Sequence, residues 1–239
     1  MTARSGIAGY LRERRTATGL TRAELAKRAG VSEALIQKIE QGTRTPTSTA
    51  LGALFEALEV PVQFREHAAT ILQSELTKLG SEWGAPEPAE LDFLNGLAHP
   101  ACYQAMPEMD VIAANEAYVR AFPGLEPGTN IMVWMLTDPA ARVAIGDWER
   151  EAHLQVRGFR HMAPGLVAPE RIEEISRLCS ASPDWDRLWS TDIPPADIPR
   201  RPMRVRDPDS GEWVAMHIQM FRFEVPRRPW WMYALVPIR

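Results

Sequence analysis

The stretch from Leu20 to Gly42 leaves the chain little freedom, because helix start and stop signals follow one another in order at short intervals. Thr21 is a good N-cap, and Glu24, three residues on, can reach back to the cap's own amide to complete a capping box. Leu20 and Leu25 stand where a hydrophobic staple would close that start. Gly30 then stops the helix. Ser32 caps a second helix, with Val31 and Ile36 as its staple, an apolar stripe of Leu35, Ile36 and Ile39, and Gly42 as its end. Two helices meeting at Gly30-Val31-Ser32 form a helix-turn-helix. Leu51, Leu54, Phe55 and Leu58 repeat at helical spacing, so residues 6–59 read as short helices with tight turns.

The second helix of such a unit is slim enough to enter the major groove and meets base edges with its first residues. Those residues are Ser32, Glu33 and Ala34, with Gln37 and Lys38 one turn further along. Glu33 has the chemistry to accept from a cytosine amino group, Ala34 to touch a thymine methyl and Lys38 to donate to guanine. Arg22, before the turn, and Arg44, after Gly42, are placed to hold phosphates, which sets register rather than sequence. A plain helical bundle that docks on a protein is the competing reading of the same helices.

Charge agrees with the first reading. The 239 residues carry a formal net charge of −4, but residues 1–60 hold nine basic and six acidic groups. A basic head on an acidic body suits an anionic partner. No apolar run reaches the roughly 18 residues that span a bilayer, and the arginine-bearing start does not read as a signal peptide. Two cysteines, Cys102 and Cys179, are too few for a disulfide scaffold or a four-cysteine zinc site, so a reducing, cytoplasmic setting is expected.

Residues 64–79 read as one more amphipathic helix, and 80–88 have the Gly, Ser and Pro composition of a linker. The expected domains are therefore 1–79, all helical, and 89–239, of mixed α and β type. In the second, Cys102–Met106 and Met109–Ala114 suggest a hairpin around Pro107-Glu108. Asn115 caps a helix running to Phe122, and Asp138-Pro139 opens a long one. Pro169 and Ser182-Pro183 open two more. Val214, Met216, Ile218 and Met220 alternate with Ala215, His217, Gln219 and Phe221 as a strand, and after a turn at Pro226–Pro229 the stretch Trp230–Val236 returns.

This second region shows no phosphate-binding glycine loop, no metal-ligand spacing and no nucleophile elbow, so no catalytic constellation, metal or cofactor is expected. The chain's five histidines are scattered, and a haem sensor using His153 or His217 is a remote alternative. What the chain does carry is 10 Met and 8 Trp, soft and large groups able to line an adaptable apolar pocket or simply to fill a core.

Two resemblances sharpen these readings. Leu20-Thr-Arg-Ala-Glu-Leu-Ala-Lys-Arg-Ala-Gly-Val-Ser32, followed by Ile36-x-x-Ile-Glu-x-Gly42, resembles the phage-repressor-like helix-turn-helix of bacterial XRE-type regulators. Arg22 stands where many relatives carry Gln. Further on, Pro100-Ala-x-Tyr103, Asp110-Val-Ile-x-x-Asn115, Asp138-Pro-Ala-Ala-Arg142, Trp148, Val156-Arg157 and Ser180-x-Ser-Pro-x-Trp-x-x-Leu-Trp189 resemble the C-terminal domain of MmyB-like transcription regulators, common in actinobacteria. That resemblance implies a PAS-like α/β sensor with an antiparallel sheet and an internal apolar pocket for a small apolar ligand, a fatty acid or acyl compound being the leading class. Trp134, Trp148, Met216, Met220 and Trp231 are the expected lining. Arg157 is either a clamp on the ligand's carboxylate or a surface ion-pair partner. The expected partners are double-stranded operator DNA and a second copy of the chain, with no membrane, and the 64–79 helix is the expected coupling element. A C-terminal domain that mediates only dimer or partner contacts is the alternative.

Overall fold

A computed structural model describes residues 3–60, 65, 85–164, 166–193, 202–224 and 227–238. The expected 64–79 helix and most of the expected linker lie outside the described residues. The chain divides into two compact units, Met1–Glu82 with Phe159–Ile172, and Trp83–Gly158 with Glu173–Arg239.

In the first unit, α2 (Arg22–Ala29) and α3 (Glu33–Glu40) form where their end signals place them, with α1 (Ala3–Ala17) before them and α4 (Ser48–Ala57) after. Thr21 and Glu24 make the reciprocal capping box, Ser32 Oγ accepts from the Leu35 amide at 3.2 Å, and Thr47 caps α4 through the Ala50 amide. Gly30 ends α2 at φ 64°, a left-handed conformation that costs a side-chain-bearing residue energy. The apolar stripes of these helices converge on one core, in which Leu25, Ile36, Ile39, Leu54 and Leu58 are buried and Tyr10 meets Phe55 edge to face.

The second unit is built on a six-stranded antiparallel sheet in the order β2-β1-β6-β5-β4-β3. The strands are β1 (Ala101–Ala105), β2 (Val111–Ala114), β3 (Ile145–Gly146), β4 (Met203–Arg206), β5 (Trp213–Glu224) and β6 (Arg227–Pro237). This agrees with the α/β expectation, and β1 and β2 are the expected hairpin. The sixth strand starts at Arg227, three residues before the expected return, and pairs there with Glu224. Helices α5 (Pro88–Asn95), α6 (Glu116–Ala121), α7 (Ile131–Thr137), α8 (Pro139–Ala144), α9 (Trp148–Met162), α10 (Pro169–Cys179) and α11 (Trp185–Ser190) complete the described elements.

One sequence expectation changes. The long helix from Pro139 ends after six residues, because Ile145 and Gly146 leave it to pair with Val205 and Arg204 of β4. A side chain at Gly146 would come within 2.8 Å of the Arg204 Cβ, so the strand pairing there needs glycine. The chain resumes helix at Trp148 as α9.

Asn115 shows how this unit is tied. Its Nδ2 donates toward the carbonyls of Leu94, Leu97 and His99, and its Oδ1 accepts from the amides of Ala101 and Tyr118. The expected cap of α6 is thus also the knot joining α5, β1 and α6, and it is 2% exposed.

Candidate functional site

The exposed side of α3 carries Ser32, Glu33, Ala34, Gln37 and Lys38, while Ile36, Ile39 and Glu40 are buried behind it. All five expected base-facing residues therefore share one open face. Arg44 is exposed close by, its amide and the Thr43 hydroxyl both bonded to the Lys38 carbonyl as the chain leaves the helix. These tight turns hold Lys38 and Arg44 next to each other.

Arg22 is placed differently from the other cations. Its Nε donates to Glu40 Oε2 at 2.7 Å, and its side chain is 39% exposed. Arg15 of α1 grips the same carboxylate, with Nε on Oε1 at 2.6 Å and Nη2 on Oε2 at 3.2 Å. Glu40 is 4% exposed. Burial pushes its pKa up, but the hydrogen bonds from Arg15 and Arg22 outweigh that and hold it below the ordinary carboxylate value. Glu40 is therefore the bolt that joins α1 and the start of α2 to the end of α3. Sequence reading quoted it in the Ile-Glu-x-Gly pattern without giving it a role. The signal was there: a carboxylate on the buried side of a helix requires a cation to meet it.

In the second unit, Trp134 and Trp148 are buried pillars whose indole N–H groups donate to the Pro123 and Met135 carbonyls. The Arg142 guanidinium lies 3.4 Å from the Trp148 ring centre, a cation–π contact. Arg157 Nε donates to Asp192 Oδ1 at 2.7 Å. Met216, Met220 and Trp231 lie on one face of the sheet, since Met220 pairs with Tyr233 and Arg222 with Trp231, and strand side chains alternate. Ile218 and Met220 of that face are each 43% exposed.

The opposite face of the same strands holds a cleft of about 420 Å³. Phe93 and Leu97 from α5 and its exit, Phe221 and Phe223 of β5, and Met232 and Ala234 of β6 form its apolar walls. Phe93 and Phe221 stand open at 52% and 48%. None of the six residues expected to meet a ligand lines this cleft. Sequence reading missed it because Phe93 and Phe221 are 128 positions apart and only the sheet register brings them together.

Burial pushes the thiols of Cys102 and Cys179 up to about 12, so both are held as inert thiols. Among the described residues no group of His, Cys, Asp or Glu could hold a metal ion, and no helix is long and apolar enough to cross a membrane.

Comparison with protein families agrees with this division of labour. The model for the MmyB-like transcription regulator ligand binding domain matches residues 87–238. The chain belongs to the MmyB-like transcription regulators. A helix-turn-helix domain model matches residues 7–68 of this MmyB-like regulator. Among solved structures, a point mutant of the restriction-modification controller protein C.Esp1396I is 23% identical, with a TM-score of 0.28 over 34% of this chain and 100% of its own. No curated protein matched the MmyB-like chain. The MmyB-like transcription regulator thus joins a DNA-binding helix-turn-helix to a ligand-binding domain.

Proposed function

We propose that this regulator reads operator DNA with the exposed side of α3 and that a small apolar effector in the ligand-binding domain controls the reading. The observation that supports the DNA-reading role is the sharing of one open helix face by Ser32, Glu33, Ala34, Gln37 and Lys38, with Arg44 beside them. Lys38 and Arg44 hold phosphates or guanine, and Arg22 presents to DNA what Glu40 leaves free of its guanidinium. The protein acts in the cytoplasm as a homodimer on two half-sites one helical turn apart, because two-fold operators mirror two-fold proteins.

The effector is of the fatty-acid or acyl class and occupies the cleft of about 420 Å³ on the α5 side of the sheet. A concave, largely apolar wall with few polar groups at its edge is the usual setting for such a ligand. Met216, Met220 and Trp231, on the other face, are the comparison site.

Native mass spectrometry of the purified chain, followed by denaturing extraction, tests the effector class. A bound mass matching an acyl compound, lost in Phe221→Asp and kept in Met220→Asp, is the expected result. Loss in Met220→Asp alone moves the site to the other face. A chain that is empty and that no fatty acid stabilises against heat favours the second reading, in which the open Phe93 and Phe221 make this a dimer or partner contact instead.

A further inference from the structure

The cleft on the α5 side of the sheet changes character along its length, and strand register shows where. Phe221 stands opposite Met232, and Met232 opposite Tyr103 of β1. Two residues back along β5, Gln219 stands opposite Ala234, and Ala234 opposite Ala101. Two further back, His217 stands opposite Val236. The Leu235 amide donates to the Pro100 carbonyl at 2.8 Å, so the pairing of β1 with β6 runs on past Ala101 and brings His99 to the row of Val236.

Strand side chains alternate, so these rows share one face. Phe221, Phe223 and Met232 make one end of the cleft apolar. His99 and Gln219 give the other end its polar side chains, with His217 beside them on the same face. All three are exposed, and among the described residues none has a side-chain hydrogen bond or an ion pair. The arginines are engaged elsewhere. Arg157 is held by Asp192, and the Arg222 guanidinium lies 6.0 Å from the ring centre of Trp231, on the face that Met220 shares.

A cleft that is apolar at one end and offers unengaged donors at the other fits a molecule of the same pattern. The glutamine amide supplies N–H donors and the imidazole one more. Both stand at the exposed rim, so a carboxylate held there keeps part of its water and escapes the cost of a buried charge. From Gln219 to Phe223 the strand rises roughly 13 Å, which suits an extended chain of medium length.

We propose that the effector lies along β5 as an alkyl carboxylate, its head group held by His99 and Gln219 and its tail on Phe221 and Phe223. The choice of an anionic head group then comes from these two donors and not from Arg157, and the choice of tail from the phenylalanines. The proposal rests on the acyl-effector reading above and deepens it.

Calorimetric titration of the full chain with sodium decanoate and with decan-1-ol separates the two contacts, because the probes share a tail and differ in the head. The unaltered chain is expected to prefer decanoate by about tenfold, the worth of one hydrogen bond to a charged group. His99→Ala combined with Gln219→Ala is expected to abolish that preference by weakening decanoate alone. Both side chains are exposed, so the fold tolerates their loss, and retained decan-1-ol binding checks that the cleft is intact. His99→Gln, with Gln219 in place, keeps a side-chain N–H and is expected to keep most of the preference. Phe221→Ala is expected to weaken both probes by the same factor and leave the preference as it was. A preference that survives the double substitution overturns the proposal, as does one that disappears in Phe221→Ala. If the unaltered chain binds both probes equally, the head-group contact fails while the acyl-effector reading stands. If it binds neither, that reading fails and the head-group contact falls with it.

Discussion

The DNA-binding unit satisfies many of its polar groups with neighbours in sequence, whereas the sheet-bearing unit satisfies key ones across long separations. Thr21 and Glu24 cap each other three positions apart, and Ser32 and Thr47 cap the two following helices. Asn115, by contrast, gathers backbone groups from Leu94 to Tyr118, and the apolar cleft joins Phe93 to Phe221. The lesson is that an exposed helix face set by its own caps is local chemistry, while an apolar cleft between a helix and a sheet exists only once register is set.

The difference can be broken at its strongest point in each unit. Asn115→Ala is expected to have the largest effect, on the order of 4 kcal/mol, because carbonyls and amides of three elements lose a buried partner together. Denaturant unfolding followed by tryptophan fluorescence reads this, since the residues with indole rings all lie in or beyond the second unit's first residue, Trp83.

Glu40→Ala comes next, at about 3 kcal/mol, because it strands Arg15 and part of Arg22 without their anion. Amide exchange of α1 and α3 measures it, and operator binding should fall with it. The same bolt predicts an acid limit. The folded pKa of Glu40 lies below its ordinary 4.5, so its contribution is complete above that value and is lost as pH falls through the folded pKa. A Glu40→Gln chain should show a weaker loss of α3 protection below pH 4.5 than the unaltered chain.

Lys38→Ala and Arg44→Ala sharpen the difference without unfolding either unit, since both side chains are exposed. Each is expected to weaken operator binding and to reduce the slope of log affinity against log salt by about 1 if it meets a phosphate. Fluorescence anisotropy titrations at several salt concentrations measure this. Ser32→Ala has the smallest expected effect on stability, about 1 kcal/mol, for the lost cap on the Leu35 amide. It is read by the midpoint of α3 exchange against denaturant.

Much of the first unit was legible in the sequence because caps, staples and glycine stops act over three to five residues. Ser32, Glu33, Ala34, Gln37 and Lys38 follow from helical spacing once Ser32 is recognised as the start. Arg22 was legible only as a cation; its ion pair spans 18 positions and needs the helices packed. In the second unit the β1–β2 hairpin and the Asn115 cap could be read, but the end of α8 could not. Nothing local to Ile145 and Gly146 announces strand, because what draws them out of helix is β4, some sixty residues later. Arg157 was readable as an anion's partner, and packing gave it Asp192, 35 positions away.

Local hydrogen bonding, helical periodicity and two family resemblances determined from the sequence alone that this chain carries a helix-turn-helix before an α/β ligand-binding domain. Tertiary structure decided the rest: that Glu40 bolts α3 to α1, and that the apolar cleft opens on the α5 side of the sheet. The physical reason is the same in each case. A buried charge or an open apolar wall is satisfied by whatever folding brings beside it, and no spacing along the chain records that distance.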